Sequence, residues 1–321
     1  FFTKESSPLT TQQKKIAGIA LVMVGVVVIA YICSFKMLDR DFWWHIKAGE
    51  VMTQTKQLIS IEPFAYTREG QPYLATQSWL SEVLLYAIYS VGGVNGIIIF
   101  RTLVMIGIFG LFVFLDKKRA WIYAILTAFA GNAAQGAFIE RPQLFTFMLF
   151  AAFLYLAFIV LEKGLSRNRI LWFIALEILW VNMHGAASFL GIVVVGLLAL
   201  QHAYDIWSTK RKQTLVVWKP WIYLLGGLVG GFFLSPSGYH NVTYIFQLLN
   251  DKTIIFINEW QPRELVVYLG EVGLLWIIAL VSLWKTRKNF VYCLGLLLVT
   301  GYLSRKALRH EVLFVFAAVA V

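Results

Sequence analysis

Charged residues are scarce in this sequence of 321 residues: aspartate, glutamate, lysine and arginine make up only 14% of it, against about 25% in ordinary soluble domains. Hydrophobic residues reach 59%, and the mean hydropathy is +0.71. A water-soluble globule of this size would lack the polar surface that it needs. The composition therefore excludes a soluble domain and predicts an integral membrane protein.

Cysteine is nearly absent as well, and common catalytic motifs are missing. Cys33 and Cys293 stand inside apolar runs, which excludes a disulfide framework or a thiolate metal site. The sequence contains no P-loop, no glycine-rich dinucleotide turn, no His-Glu-x-x-His and no Gly-x-Ser-x-Gly. The formal charge of +11 would suggest nucleic acid in a soluble protein. Here the basic residues occupy short loops between apolar runs, so we expect no nucleic-acid partner.

What the sequence has instead is a series of long apolar runs. A helix needs about 20 such residues to cross a bilayer core, and helices are required there because unpaired backbone groups are costly in lipid. The expected spans cover residues 16–37, 96–115, 119–138, 143–161, 170–183, 187–206, 219–236, 266–284 and 289–304, and a tenth begins near 310. We therefore predict an all-α polytopic bundle of about 9–10 spans, in one domain covering residues 1–321.

The two ends of the chain carry separate expectations. The first apolar run is long enough to span, and no small-residue cleavage site follows it, so we expect no cleavable signal peptide. The last residues, 313–321, stop within an apolar run. We expect the natural protein to continue past them.

The basic residues indicate the orientation of the spans, because lysine and arginine are enriched in cytoplasmic loops. If the spans alternate, sixteen of the 28 basic residues fall on one side. They are Lys4, Lys14, Lys15, Lys117, Lys118, Arg119, Lys163, Arg167, Arg169, Lys210, Arg211, Lys212, Lys219, Lys285, Arg287 and Lys288. This pattern predicts a multi-pass protein of the cell (cytoplasmic) membrane with a cytoplasmic N-terminus.

The opposite, extracytoplasmic side carries two long loops, residues 38–95 and 236–265. In the first loop, Asp41 to Gln54 predicts an amphipathic helix lying on the membrane surface. Its apolar side has Trp43, Ile46 and Val51, and its polar side has His45, Lys47 and Glu50. A second surface helix is predicted over Trp79 to Tyr89, ended by Gly92-Gly93.

The strongest candidate for chemistry follows the first span directly. Asp39 and Asp41 stand two residues apart, with His45 four residues further on. Carboxylates at this boundary can act as a general base or hold a divalent cation such as Mg²⁺ or Mn²⁺. The alternative is an interfacial anchor, in which tryptophans lie among the headgroups and Asp41 caps the following helix.

Polar residues also mark two places among the later helices. The turn with Asn182 and His184 follows a short span, which would set it below the outer surface, where polar groups usually line a cavity. Alternatively, both residues satisfy helix ends. Glu177 lies inside a span and must be paired, protonated or turned to the bundle; Arg101 is one structural partner for it.

Cations and one tryptophan complete the candidate site. Outer-face cations are disfavoured by the orientation rule, so they are candidate ligands for a lipid phosphate; the alternative is contact with anionic headgroups. These cations are Arg141, Arg305, Lys306, Arg309 and His310. Glu259 and Trp260 form a polar-aromatic pair that suits stacking on a sugar ring and suits interface anchoring equally well.

Several stretches spread over most of the chain resemble those of a group of bacterial polytopic membrane proteins. They are Asp39-Arg-Asp-Phe-Trp-Trp-His-Ile-Lys-Ala-Gly-Glu50, Glu62-Pro-Phe-Ala-Tyr-Thr67, Trp79-Leu-Ser-Glu82, Arg141-Pro-Gln143, Trp180-Val-Asn-Met-His-Gly185, Ser235-Pro-Ser-Gly238, Glu259-Trp-Gln261 and Leu308-Arg309. The overall pattern, one span and then an acidic outer loop with two surface helices, resembles the GT-C fold of membrane glycosyltransferases. Arg40 stands where the group often has proline, and Gln77-Ser78 stands where it often has His-Glu. The second departure argues against a direct catalytic role for the second surface helix.

The GT-C resemblance implies a function. Members take a sugar from a polyprenyl-phosphate-type carrier and pass it to a glycan or protein acceptor at the extracytoplasmic face. An aspartate of the first loop acts as base or metal ligand, which corresponds here to Asp39 or Asp41. Two other classes stay open at this point: a transporter or lipid flippase, and a non-catalytic subunit that assembles with other membrane proteins.

Overall fold

The computed structural model describes residues 10–37, 39–73, 77–116, 119–209 and 217–321. These residues form helices and turns, and within them the only β-type pairing is an isolated bridge between Ile61 and Pro72. The predicted all-α fold is therefore confirmed for the part of the chain that is described.

Twelve α-helices follow one another along the described ranges. They are α1 (Thr11–Cys33), α2 (Phe42–Thr55), α3 (Trp79–Val113), α4 (Ala120–Ala134), α5 (Gln143–Lys163), α6 (Arg167–Met183), α7 (Phe189–Ser208), α8 (Lys219–Phe232), α9 (His240–Asn250), α10 (Leu265–Thr286), α11 (Phe290–Lys306) and α12 (Glu311–Ala320). Short 3₁₀ turns connect several of them, including Gly185–Ser188, Asn258–Trp260 and Leu308–His310.

Among the described residues, five helical segments are long and apolar enough to cross a membrane. They are Thr11–Cys33, Trp79–Val113, Gln143–Lys163, Gly185–Ser208 and Leu265–Thr286. A helix also lies at each of the other predicted spans, but these helices are shorter. They are α4 (15 residues), α6 (17 residues), α8 (14 residues), α11 (17 residues) and α12 (10 residues). The number of about 9–10 spans therefore stays a prediction.

Some of the basic residues used for the orientation lie outside the described residues, namely Lys4, Lys117, Lys118, Lys210, Arg211 and Lys212. Of the others, Arg119, Lys163 and Lys288 line one open cavity of about 770 Å³. The turns after α3, α5 and α10 thus meet at one end of the bundle, as the sequence analysis expected.

The first outer loop matches its prediction at Gly92-Gly93 and differs from it in α2. The element α3 consists of two helices that meet at a kink, because Gly93 has a non-helical φ of 55° and ψ of −151°, so the second surface helix ends there as predicted. In α2 the structure buries His45 and leaves Trp43 51% exposed. The reason is packing: α2 lies against the first turns of α3, and that contact decides which face is covered.

Helix α5 forms the centre of the core. It packs against α3, α6, α7 and α12, and its phenylalanines are buried on several sides of the helix. A helix that is apolar all round is one that other helices surround. Because α5 is fixed in this way, the turn at its start is held in place, and that turn carries Arg141.

A buried ion pair fixes the end of α1 beside this turn. Arg101 of α3 pairs with Glu140, and it also donates hydrogen bonds to the backbone carbonyl groups of Cys33 and Phe35. Arg101 therefore pairs with Glu140 and not with Glu177. Residues 33–35 precede Asp39, and Glu140 precedes Arg141. The side chain of Arg101 therefore connects the segment that carries Asp39 to the segment that carries Arg141.

Candidate functional site

Arg141 lies at the centre of a cluster of acidic side chains. Its Nε and Nη2 atoms each donate a 2.6 Å hydrogen bond to one oxygen of Asp39, so both oxygens of that carboxylate are bound. The Asp39 side chain is only 5% exposed. Two parallel bonds of this kind are the firmest way in which arginine holds a carboxylate.

Two further carboxylates reach the same guanidinium. Asp41 Oδ2 lies 3.0 Å from Nη2 of Arg141, and Nη1 donates to both oxygens of Glu259 at 3.2 Å. The Asp41 side chain is half exposed. Although Asp41 precedes α2, its side chain makes no capping hydrogen bond, so it does not play the alternative role of a helix cap.

The carboxylates also determine the acidity of the arginine. Burial by itself lowers the pKa of Arg141, but the hydrogen bonds to Asp39 and the charges of Glu259 and Asp41 outweigh burial and raise the pKa above its usual value. Arg141 therefore stays charged at every accessible pH.

Arg309 joins this cluster from the turn between α11 and α12. Its Nη1 donates to Glu259 at 3.2 Å and its Nη2 to Gln143 at 3.0 Å. The guanidinium lies 4.3 Å from the ring centre of Trp260, which is a cation–π contact. Glu259 thus links the two arginines, although Arg141 and Arg309 stand far apart in the sequence.

His184 is held by a short relay of hydrogen bonds. Thr146 Oγ1 accepts a bond from Trp180 Nε1 at 3.0 Å and lies 2.7 Å from His184 Nδ1. Because an indole N–H can only donate, the hydroxyl proton of Thr146 is available for Nδ1. The relay therefore favours the tautomer in which His184 offers an Nε2–H donor to a ligand.

A largely apolar cavity of about 280 Å³ lies beside His184 and Arg309. Its polar lining includes Gln77, Gln143, Thr146, His184, Arg309 and His310, its apolar lining includes Phe147, Phe189, Leu190, Leu303 and Leu313, and Tyr244 and Trp260 also line it. Cationic and N–H donors at an apolar cavity suit an amphiphile with an anionic head.

Three predicted site residues lie outside this cluster. Asn182 accepts a hydrogen bond from Trp79 Nε1 at 3.0 Å and donates to two backbone carbonyl groups. Arg305 donates to the backbone carbonyl of Arg263, and Lys306 is exposed. The structure thus brings together most of the other predicted residues, whereas Asn182 and Arg305 bind groups outside the cluster.

Two site residues were not identified individually from the sequence. Gln143 and Thr146 are three residues apart, so they lie on one face of α5 and both line the cavity. The sequence feature that could have identified them is a pair of polar residues, three positions apart, in the first turns of a largely apolar helix.

Three histidines of the site, of which His45 is buried and His184 and His310 are partly buried, are neutral near pH 7. Burial, followed by repulsion from Arg141 and His184, lowers the pKa of His45 to about 3. Burial, followed by repulsion from Arg309, lowers the pKa of His184 to about 3 and that of His310 to about 4. Each ring can therefore accept or donate a hydrogen bond without carrying a full charge.

Mild acid is expected to destabilise the protein through these rings. In the unfolded chain they bind protons below a pH of about 6.5, whereas His184 and His310 of the folded chain do so only near pH 3 to 4. Their contribution is present above pH 6.5 and is lost as the pH falls, by about 1.4 kcal/mol per pH unit for each histidine. Thermal unfolding in detergent between pH 7 and pH 5 measures this effect.

The matched variants for that measurement are His184→Gln and His240→Gln. The first is expected to flatten the dependence of the melting temperature on pH, and the second, at an exposed position, to leave it unchanged. A melting temperature that is constant from pH 7 to pH 5 in the unaltered protein would contradict the assignment.

The cluster does not provide a donor set for a resident divalent cation. Across the described ranges, no three side chains of the His, Cys, Asp or Glu type gather as metal ligands. Asp39, one of the two predicted ligands, already binds Arg141 through both oxygens. A Mg²⁺ or Mn²⁺ ion held by Asp39 and Asp41 therefore does not fit the cluster in this arrangement.

Comparison with known proteins adds no relative. No protein-family model matches the chain, and no curated protein matches it either.

Proposed function

We propose that this chain is a multi-pass membrane glycosyltransferase that moves a sugar from a polyprenyl-phosphate-type carrier to a glycan or protein acceptor. The cluster around Arg141 is its reaction site, on the extracytoplasmic side of a cell membrane, and the N-terminus is cytoplasmic. The observation that carries the proposal is the meeting of three carboxylates and two arginines beside an apolar cavity.

The membrane placement rests on the helices and on the charge distribution. In the described part of the chain, five segments are long and apolar enough to span, and Arg119, Lys163 and Lys288 line one cavity at one end of the bundle. Basic loops are favoured on the cytoplasmic side, which assigns the Arg141 cluster, in turns at the other helix ends, to the opposite side.

The donor is assigned to the cavity by its chemistry. A polyprenyl chain suits the apolar walls, and its phosphate suits the charged Arg309 with the Nε2–H of His184. The volume of about 280 Å³ holds only the first part of such a chain, and the remainder would lie in lipid between the helices. Arg309 already covers one face of the Trp260 ring, so a sugar would stack on the opposite face.

The proposed reaction is a single displacement. An acceptor hydroxyl gives its proton to the half-exposed carboxylate of Asp41 and its oxygen bonds to the anomeric carbon, while the bond from that carbon to the phosphate oxygen breaks and the phosphate leaves with the electron pair. The configuration at carbon is inverted. Fixed cations placed where charge develops usually supply the largest part of the rate enhancement, which is the role of Arg141 and Arg309.

Removing the carboxylates tests this proposal. We expect Asp39→Asn or Asp41→Asn to lower transfer by about a hundredfold or more, because Asp39 orients Arg141 and Asp41 presents the half-exposed carboxylate of the cluster. The measurement is transfer from a radiolabelled polyprenyl-phosphate sugar by the full chain in liposomes.

Glu50→Gln is the matched control for these variants, since Glu50 lies on the outer face of α2 and accepts hydrogen bonds from Lys47 and Gln54. It is expected to retain full activity. Unchanged transfer in both aspartate variants, at normal protein levels, would overturn the mechanism. Transmembrane flux of the carrier without any transfer would favour a flippase instead.

A further inference from the structure

The cavity beside His184 and Arg309 offers little positive charge to a ligand. Among its described lining residues, Arg309 is the only side chain of a charged type apart from the histidines. Burial, followed by repulsion from Arg309, lowers the pKa of His184 to about 3 and that of His310 to about 4, so both rings are neutral near pH 7. An anion in this cavity therefore meets one full positive charge.

The Arg309 side chain is held in a fixed position at the cavity wall. Its Nη1 donates to Glu259 and its Nη2 to Gln143, while Gln143 Nε2 donates to the backbone carbonyl of Arg309 at 3.0 Å. A guanidinium group has five N–H donors, and these contacts do not use all of them. The remaining donors can bind the oxygens of one phosphate group.

The neighbouring cations do not add a second charge. Arg141 is engaged by three carboxylates. Arg305 donates to the backbone carbonyl of Arg263, and Lys306 lies over the ring of Tyr302. In the described part of the chain, the cavity lining includes none of these three cations.

Negative charge prevails directly behind Arg309. The carboxylates of Asp39, Asp41 and Glu259 face the guanidinium groups of Arg141 and Arg309, so the cluster has a formal excess of one negative charge. A ligand with two phosphate groups would place the second one either against this excess or among the apolar walls. Both places are unfavourable, because an unpaired charge is costly where water is scarce.

We infer that the sugar donor is a glycosyl polyprenyl monophosphate and that the cavity discriminates against the corresponding diphosphate. The inference rests on the proposed function and names the class of its donor. A glycosyl monophosphate is a diester with one negative charge, which matches the single charge of Arg309. Its two free oxygens are shared between Arg309 and the Nε2–H of His184.

Two synthetic probes test the inference without any transfer. A polyprenyl methyl phosphate carries one negative charge, and a polyprenyl methyl diphosphate carries two on the same chain. By calorimetry in detergent micelles, we expect the unaltered protein to bind the monophosphate about a hundredfold more tightly. Arg309→Gln is expected to weaken that binding by about tenfold or more. Equal or tighter binding of the diphosphate would overturn the inference, and so would binding of neither probe.

A variant with an added charge tests the physical cause. Tyr244 of α9 lines the cavity, so Tyr244→Arg is expected to strengthen diphosphate binding by about tenfold and monophosphate binding less. Phe246→Arg is the matched control, because Phe246 lies on the same helix with its side chain 61% exposed. It is expected to leave the ratio of the two Kd values unchanged. An unchanged ratio in Tyr244→Arg, with a melting temperature like that of the control, would show that charge is not the cause.

Transfer measurements separate this inference from the proposed function. Transfer from the monophosphate donor alone would support both. Transfer from the diphosphate donor alone, lost in Asp41→Asn, would retain the glycosyltransferase and reject the monophosphate. Selective binding of the monophosphate probe, without transfer from either donor, would retain the phosphate site and reject the glycosyltransferase.

Discussion

Replacing Arg141 with lysine is expected to lower the rate of sugar transfer by about a thousandfold. Lysine keeps the positive charge but has a single ammonium group, so it cannot bind both oxygens of Asp39 while it also meets Asp41 and Glu259. The carboxylates would then separate, and the leaving phosphate would lose an oriented donor. Transfer in liposomes measures the effect, and thermal unfolding confirms that the variant is folded.

Arg119→Lys is the matched control, because Arg119 lies at the other end of the bundle and its side chain is 70% exposed. It is expected to leave transfer unchanged. A folded Arg141→Lys variant that retains transfer within about threefold of the unaltered protein would place the chemistry somewhere other than this cluster.

Replacing Arg101 with methionine is expected to reduce the free energy of unfolding by about 3–5 kcal/mol. Glu140 would be left as a buried carboxylate without its partner, and the carbonyl groups of Cys33 and Phe35 would lose their donor. Unfolding in mixed detergent micelles measures the change. We also expect transfer to fall, since the segments that carry Asp39 and Arg141 would no longer be tied together.

The double variant Arg101→Met, Glu140→Leu separates the two causes. It removes both charges, and it is expected to recover a large part of the lost stability because no buried charge is left unpaired. Lys47→Met is the control: the Lys47–Glu50 pair is largely exposed, and such pairs contribute about 0–1 kcal/mol. Equal losses in the single and double variants would show that the ion pair is not the cause.

The positions of the helices follow from the sequence to a large extent. Each predicted apolar run contains a helix, because a helix satisfies the backbone hydrogen bonds of a segment that lies in lipid without help from water. The break within α3 follows as well, because Gly93 takes a non-helical φ of 55° at which the surface helix ends and the next helix begins.

The partners within the site could not be predicted from the sequence. Asp39 and Arg141 were both identified, yet their contact joins residues 102 positions apart and depends on how α1, α3 and α5 pack. His45 was assigned to the polar side of α2 because a lone helix shows no reason to bury it. The reason is Glu82, which another helix provides.

Neighbouring residues in the sequence were also separated by the fold. The sequence places four basic residues close together before the last apolar run, and it predicts a single cluster for them. They are Arg305, Lys306, Arg309 and His310. Helix α11 ends at Lys306, and Ala307 is extended, so the chain changes direction between the two pairs. Only the second pair lines the cavity, and a count of charges along the sequence could not distinguish the two.

The distance along the chain between Asp39 and Arg141 has a consequence for biogenesis. A ribosome adds about 5–20 residues per second, so the 102 positions from Asp39 to Arg141 take roughly 5 to 20 s to synthesise. During that interval the nascent chain contains Asp39 but not yet the cation that will neutralise it. Arg309 follows later still, so the nascent protein completes its acidic cluster only after nearly all of these helices have been made.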